Sequence, residues 1–163
     1  MPVNPICIGG YRFVFVQELL PELDISGSVY TYQPQGKYAN KKKLPLLPEA
    51  EAAAGYAKFC RFRLNNAKDV PGVYAWVSGD TVIYIGETKR LRTRFNSGYG
   101  MISPRNCYKG GQKTNCKMNK VVLEYYRAGT ELYLYFLETE DYKAIEKELI
   151  ESQNPKLNEK HNK

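Results

Sequence analysis

The chain has 163 residues, of which 43% are hydrophobic and 13% aromatic. This composition is typical of one globular domain with a hydrophobic core and excludes a wholly disordered protein. The formal net charge of +7 favours a polyanionic partner. No apolar run approaches the roughly 18 residues of a membrane-spanning helix, and the N-terminus does not resemble a secretory signal. We therefore expect a cytoplasmic protein without a membrane partner.

The first part of the chain, residues 1–69, is predicted to be an N-terminal extension containing strands and a helix. Alternation of apolar and polar residues predicts strands over residues 11–16 and 27–32. An alanine-rich stretch over residues 49–62, opened by a proline, predicts a helix. The basic segment at residues 37–43, with tyrosines nearby, is either a DNA-contacting arm or a solvated linker. The extension is expected to contact DNA or to support oligomer formation.

Two β-rich runs on either side of Gly79 predict a β-hairpin. The runs contain the triplets Gly72-Val73-Tyr74 and Tyr84-Ile85-Gly86. If the hairpin is centred on Gly79, Tyr74 lies directly opposite Tyr84 and the two hydroxyls emerge side by side. The glycine of each triplet would keep this face open for the backbone of a ligand. An ordinary cross-strand aromatic pair would have the same pattern.

A short helix is predicted after the hairpin, over residues 89–96, with Thr88 as its N-cap. Leu91 and Phe95 are four residues apart and form an apolar seam. Arg94 borders this seam instead of facing water. A cation in that position suits a polyanionic substrate. The alternative is an arginine whose stem covers the core while its head stays in water.

A long polar insertion, residues 98–117, separates this helix from a second one predicted over residues 118–128. A strand over residues 131–137 follows. Loops of this length are usually functional or mobile. We predict that the insertion contacts DNA, because Lys and Arg bind phosphates while Asn and Gln bind adenine edges; the alternative is a flexible connection. The residues predicted to contact DNA are Arg90, Arg92, Arg105, Asn106, Lys109, Gln112, Lys113, Asn115, Lys41, Lys42 and Lys43.

The last predicted helix, residues 141–152, has one acidic residue on its apolar stripe. Glu146 lies four residues after Tyr142 and four before Ile150. An inward-facing carboxylate is costly unless it is paired or binds a metal. Magnesium would remove the cost, since it often takes only one or two protein carboxylates together with phosphate oxygens. A salt bridge to one of the many basic residues is the alternative.

The cysteines do not indicate a metal site. Cys7, Cys60, Cys107 and Cys116 have no paired CxxC spacing, and the single histidine, His161, lies in a polar tail. We therefore expect reduced thiols and no zinc site.

Five features in order resemble the GIY-YIG nuclease superfamily over about residues 70–160. The resemblance implies an α+β core over residues 70–163, in which a small antiparallel three-stranded sheet is flanked by helices. The insertion at residues 98–117 would lie within this core. The features that carry the resemblance are Gly72-Val73-Tyr74, Tyr84-Ile85-Gly86, Arg94, Glu146 and Pro155-Lys156-Leu157-Asn158.

The resemblance also implies an activity and a set of site residues. Members of the superfamily are metal-dependent endonucleases that hydrolyse phosphodiester bonds in DNA. Glu146 would hold one Mg²⁺ or Mn²⁺ per active site, and Arg94 would contact the scissile phosphate. Tyr74 or Tyr84 would position the attacking water, and Asn158 would orient groups around the metal site.

The leading interpretation is a stand-alone, site-specific endonuclease of restriction or phage type, encoded by a bacterium or a phage and acting on double-stranded DNA. The alternatives are a structure-specific repair or mobile-element nuclease and a catalytically inactive DNA-binding module. Because one active centre cuts one strand, a double-strand break implies two centres or sequential visits by one centre. We expect two centres and therefore a homo-oligomer, either a dimer or a tetramer.

Two positions depart from the pattern of the superfamily. Several relatives carry lysine three residues after the second motif tyrosine, where this chain has Glu87. Either Lys89 substitutes for that lysine or the site uses another cation. Relatives often carry His or Tyr four residues after Arg94, where this chain has Gly98. Tyr99 would take that place after a small shift of the backbone.

Overall fold

The computed structural model describes residues 2–38, 44–53 and 55–159. Its strands are β1 (Ile6–Ile8), β2 (Tyr11–Glu18), β3 (Thr31–Tyr32), β4 (Glu51–Ala52), β5 (Gly55–Tyr56), β6 (Phe59–Cys60), β7 (Gly72–Ser78), β8 (Thr81–Thr88) and β9 (Tyr133–Glu138). Its α-helices are α1 (Leu91–Arg94), α2 (Lys113–Arg127) and α3 (Tyr142–Gln153). Among the described helices, none has the length and apolar character needed to cross a membrane.

The chain divides into two compact units that alternate along the sequence. The first, which we call the sheet unit, comprises the chain up to Leu19, Asn65–Arg92 and the chain from Thr130 onward. The second, the insert unit, comprises Leu20–Leu64 and Thr93–Gly129. This division differs from the predicted boundary near residue 70, because the first two strands belong to the sheet unit.

The sheet unit contains a five-stranded antiparallel sheet with the order β1-β2-β9-β7-β8. The prediction of three strands was therefore wrong. The strand predicted over residues 11–16 is present as β2, but it pairs with β9 and extends the core sheet, with Val14 opposite Phe136. Phe13 of β2 is fully buried, so the N-terminal strands complete the core.

One face of this sheet packs against α3, which was predicted correctly to within one residue at each end. Leu149 of α3 is fully buried, and Ile145 and Ile150 pack beside it. They contact a core formed by buried residues of all five strands of this sheet and of α3. These core residues are Ile8, Phe13, Val73, Ala75, Val77, Ile85, Tyr135 and Leu149.

The β7–β8 hairpin has a different register from the predicted one. Its turn contains Gly79, whose φ of 59° lies in the left-handed region that glycine adopts easily. A β-bulge after Trp76 then shifts the pairing by one residue. As a result Tyr74 lies opposite Gly86, and Tyr84 lies opposite Trp76. The expectation that the two motif tyrosines are direct cross-strand partners was wrong.

Among the described residues of the stretch 49–62, which leave out residue 54, the insert unit has no α-helix, contrary to the prediction. Pro48–Ala50 is a single 3₁₀ turn, and the short strands β4, β5 and β6 follow it. Gly55 has a φ of 131°, which interrupts a helix. Ala50 and Phe59 are fully buried, so packing outweighs the small helix preference of the alanines. Likewise, only the last two residues of the strand predicted over residues 27–32 form a strand.

The predicted insertion over residues 98–117 is largely ordered. A 3₁₀ turn covers Pro104–Cys107, and α2 begins at Lys113, five residues before its predicted start. Asn119 of α2 is fully buried. Its side-chain amide accepts a hydrogen bond from the Cys60 N–H at 3.0 Å. It donates to the Cys60 carbonyl at 2.7 Å and to the Tyr99 carbonyl at 2.8 Å. These bonds tie α2 to β6 and to the chain after α1.

Candidate active site

The outer edge of β8 is covered by the C-terminal segment of the chain. The Leu157 N–H donates to the Ile83 carbonyl at 3.0 Å. The side-chain amide of Asn158 accepts from the Ile85 N–H at 2.9 Å and donates to the Ile85 carbonyl at 2.8 Å. These bonds satisfy main-chain groups that an edge strand leaves open. Asn158 therefore holds the edge of β8 in place, a positioning role beside the predicted metal site.

Glu146 of α3 meets the same edge, two residues further along β8. Its carboxylate accepts a hydrogen bond from the Glu87 N–H, and the Glu87 carboxylate is close enough to repel it. Burial, and then this repulsion, raise the pKa of Glu146 from its ordinary value of 4.5 to about 7, whereas the hydrogen bond lowers it. Among the described residues, Glu146 forms no ion pair. The salt bridge considered as an alternative is thus not observed within them.

Two neighbouring carboxylates that form no ion pair within the described part of the chain are suited to a divalent metal ion. Within the described ranges, no group of three or more His, Cys, Asp or Glu side chains is placed to hold a metal. Glu146 and Glu87 could therefore supply at most a small protein ligand set. Magnesium commonly binds in this way, with water and substrate phosphate as its other ligands. The residues present fit such an ion, for which Glu87, a departure from the pattern of the superfamily that the sequence resembles, would be the second carboxylate.

The two motif tyrosines are in contact even though they are not opposite each other. The ring centroids of Tyr74 and Tyr84 are 6.5 Å apart, as expected for diagonal neighbours on one face of a hairpin. Trp76 packs edge-on against Tyr84 at 6.1 Å. Tyr74 is only 1% exposed, whereas Tyr84 is half-buried. Tyr84 is thus the more accessible of the two phenols.

The motif glycines leave room for the protein's own rings. A Cβ atom at Gly86 would collide with the phenol end of Tyr74, and one at Gly72 would collide with the main chain and the Phe136 ring of β9. The expectation that these glycines open the face to a ligand was therefore wrong. Gly86, the residue before Glu87, instead allows the Tyr74 hydroxyl to lie over β8.

The motif tyrosines and the Glu87 side chain lie on opposite faces of β8. Side chains alternate along a strand, so Tyr84 and Gly86 share one face, whereas Ile85 and Glu87 share the other, against which α3 packs. Glu146 contacts the outer edge of β8, between these two faces, where its carboxylate accepts the hydrogen bond from the Glu87 N–H. The sequence pattern did not indicate this separation.

The basic residues that follow β8 differ in their surroundings. Lys89 is exposed and lines a surface cavity of about 390 Å³ together with Tyr142 and Lys143 from the first turn of α3. Arg90 is paired with Asp69, with N–O distances of 2.9 and 3.0 Å. The main-chain N–H of Arg90 also donates to the hydroxyl of Thr88, the predicted helix cap, at 3.0 Å. Arg92 is exposed.

Arg94 belongs to the insert unit and is held there by two neighbours. Its Nη1 donates to Asn115 Oδ1 at 2.5 Å, and its guanidinium carbon lies 3.9 Å from the centre of the Tyr99 ring. The chain at Phe95–Tyr99 is a π-helix, which winds one extra residue into the turn. Tyr99 consequently takes the position that a residue four places after Arg94 would occupy in an α-helix. Gly98 leaves space for Arg94, because a Cβ atom there would lie 2.7 Å from Nη1.

The residues predicted to contact DNA are only partly available for that role. Asn115 is 2% exposed, and its amide binds Arg94 and Gln112. Asn106 is half-buried and accepts from the Gln112 N–H at 3.2 Å. These two amides serve the fold of the insert unit, which does not favour direct contact with a base. Lys41, Lys42 and Lys43 lie outside the described residues. The exposed candidates in the insert unit are Arg105, Lys109, Gln112 and Lys113.

Comparisons with known proteins identify no family. No protein-family model and no curated protein matches this chain. Among solved structures, that of a mutant of bacteriophage T4 EndoII is similar over 78% of this chain and 100% of that chain, with 17% identity and a TM-score of 0.48. A likeness at this level does not establish membership of a family.

Proposed function

We propose that this protein is a divalent-metal-dependent endonuclease that hydrolyses phosphodiester bonds in double-stranded DNA. The observation that carries the proposal is the half-buried Glu146 beside Glu87, without an ion pair among the described residues and with its pKa raised to about 7. Such a carboxylate is costly for stability unless a cation or a proton compensates it. Its persistence at the edge of β8 is explained if a metal ion binds there during function.

Glu146 and Glu87 would hold one Mg²⁺ or Mn²⁺. When bound, the ion would neutralise charge on the scissile phosphate and the leaving oxygen. A net charge of +7 would draw the polyanionic backbone of DNA toward the protein. Exposed Lys89 and Arg92 follow Glu87 in the sequence and would contact neighbouring phosphates.

The proton chemistry would fall to the tyrosines. Tyr84 is accessible, so its hydroxyl would orient the attacking water, while the buried ring of Tyr74 would fix the position of Tyr84 through their contact at 6.5 Å. Arg94 would bind a phosphate with its planar guanidinium, as the resemblance implies. Its bond to Asn115 and its stacking on Tyr99 would orient it for this role.

A cleavage assay tests this function. Supercoiled plasmid incubated with the protein and Mg²⁺ should be cut, and Glu146→Gln should abolish cutting while DNA binding persists. The matched control is Glu151→Gln, which removes an exposed carboxylate from the same helix and should cut normally. Wild-type activity in Glu146→Gln would reject the proposal, and binding without cutting by the wild type would favour an inactive DNA-binding module.

The products of the assay would distinguish a site-specific endonuclease from a structure-specific one. Discrete linear fragments with one repeated end sequence indicate a site-specific enzyme, which we propose as the leading case. Scattered or junction-dependent nicks indicate a structure-specific nuclease. A site-specific double-strand break needs either two centres or two successive visits by one centre. We propose two centres, so light scattering should show a homodimer or a homotetramer.

The roles of the Tyr74 and Tyr84 hydroxyls can be distinguished by removing one hydroxyl at a time. Tyr84→Phe should lower kcat by about 100-fold or more if its hydroxyl orients the nucleophile. Tyr74→Phe keeps the buried ring and should lower kcat less. Single-turnover cleavage measures both, and equal losses would show that the two hydroxyls act together.

A further inference from the structure

The insert unit contains a cavity that the proposed cleavage chemistry does not use. Its volume is about 570 Å³, within the range of roughly 300–1,000 Å³ that small-molecule sites occupy. Aromatic, aliphatic and hydroxyl-bearing side chains line it, with two basic residues. The lining residues used in the argument are Tyr30, Tyr32, Lys37, Arg61, Ser97 and Met101.

The aromatic wall of the cavity is built from stacked planar groups. The rings of Tyr30 and Tyr32 are 6.0 Å apart with an interplanar angle of 26°. The guanidinium of Arg61 lies over the Tyr30 ring, 4.7 Å from its centre. Tyr30 is nonetheless 38% exposed, so part of this stack is open to solvent.

Two of the planar groups are held in place by hydrogen bonds within the protein. Arg61 Nε donates to a Glu22 carboxylate oxygen at 2.6 Å. The Tyr32 hydroxyl accepts from the Ile102 N–H at 2.6 Å. Because both groups are held before any ligand arrives, binding costs little side-chain entropy.

The rim of the cavity offers polar and charged partners. Lys37 and Ser97 are exposed there, and so is the thioether of Met101. An ammonium group near an aromatic wall can bind a phosphate while the rings bind the attached base, which is how proteins bind single-stranded nucleic acid.

We propose that this cavity binds an unstacked nucleobase of DNA, with Lys37 on the adjoining phosphate. The proposal rests on the proposed function only in taking DNA as the ligand. It adds that the preferred substrate contains an unpaired or easily unstacked nucleotide, because a base inside a regular duplex cannot reach a pocket. It gives the Tyr30 stack a role in substrate selection, separate from bond cleavage.

The test compares two short labelled duplexes by fluorescence anisotropy in EDTA, where cleavage cannot proceed. One duplex is fully paired, and the other has a single unpaired central nucleotide. The wild type should bind the second more tightly. Tyr30→Ala should reduce affinity for it by about 5- to 100-fold, the usual effect of removing one stacking partner, with little change for the paired duplex. Tyr126→Ala removes a tyrosine of the insert unit that is equally exposed, at 38%, and should leave the preference intact.

Two further variants keep the test decisive if Tyr30→Ala does not fold. Tyr30→Phe keeps the stacking ring and should retain the preference. Lys37→Ala should weaken binding of both duplexes and reduce the slope of log affinity against log salt by about one. An unchanged preference in Tyr30→Ala, or an equal loss in Tyr126→Ala, would overturn the proposal, as would equal affinity of the wild type for both duplexes. The readout is independent of cleavage, so a plasmid assay that fails would count against the nuclease alone.

Discussion

Replacing Glu146 with glutamine should make the protein more stable at alkaline pH. Glutamine has the same shape, and its side-chain oxygen can still accept the Glu87 N–H. What it removes is a negative charge that is half-buried and lies near a second carboxylate. Since that charge opposes folding, its removal should raise the free energy of unfolding even as cleavage is lost. Functional sites often carry such a cost in stability.

The size and the pH range of the effect follow from the pKa. The pKa of Glu146 rises from 4.5 to about 7 on folding, which corresponds to an upper limit of about 3 kcal/mol. Solvent around the half-buried group reduces the expected gain to about 1–3 kcal/mol. Below pH 4.5 the carboxyl is neutral in both states, so glutamine has no advantage. The gain should grow between pH 4.5 and 7 and be complete above pH 7.

Urea unfolding of wild type and Glu146→Gln, at pH values on both sides of this range, measures the effect. Glu151→Gln on the same helix is the control for removing one negative charge, and it should show no comparable dependence on pH. Added Mn²⁺ should stabilise the wild type above pH 7 and leave Glu146→Gln unchanged. A variant that is less stable than wild type at pH 8, or equally altered at all pH values, would refute the reasoning.

Glu87 offers a way to separate the two causes of the raised pKa. Burial comes first and the negative charge of Glu87 second, so Glu87→Gln should lower the pKa of Glu146 without restoring it to 4.5. Cleavage by the wild type should rise with pH through about 7, as Glu146 ionises. In Glu87→Gln this rise should move to lower pH, while more Mg²⁺ is needed for half-maximal activity. An unshifted pH profile would show that Glu87 does not act on Glu146.

Two further substitutions test the groups that position the site. Asn158→Ala removes both side-chain hydrogen bonds to the Ile85 main chain and should destabilise the protein by about 1–3 kcal/mol. Hydrogen exchange should accelerate at the Ile85 amide. Unchanged exchange there would contradict the conclusion that Asn158 holds the edge of β8. Gly98→Ala places a methyl group 2.7 Å from Arg94 Nη1 and should reduce cleavage by displacing that guanidinium, whereas Gly36→Ala, with nothing within 4 Å, should cut like the wild type.

Local patterns in the sequence predicted the elements whose partners lie nearby. Helix α3 and the β7–β8 hairpin were predicted because periodicity and turn residues act over a few positions. The position of Glu146 on the apolar stripe of α3 followed from the same periodicity. By contrast, the alanine-rich segment after Pro48 was predicted to be a helix and is not, since burial of Ala50 in the insert unit determines its conformation.

The hairpin shows why the finer geometry of the site was not predictable. A bulge after Trp76 moves Tyr74 opposite Gly86, and no residue pattern marks that bulge. The tyrosines still touch, because a shift of two residues along a strand keeps a side chain on the same face. Their contact was therefore expected, but the way in which Gly86 accommodates Tyr74 was not.

The sequence by itself determined which residues are chemically suited to a nuclease and the local elements that carry most of them, since periodicity and spacing are properties of neighbouring positions. Only the tertiary structure decided that Glu87 is the neighbour of Glu146, that Asn158 holds the edge of β8, and that the N-terminal strands complete the sheet. These are contacts between positions far apart in the chain. Such contacts are set by the packing of whole elements, and it is this packing that buries Glu146 and raises its pKa.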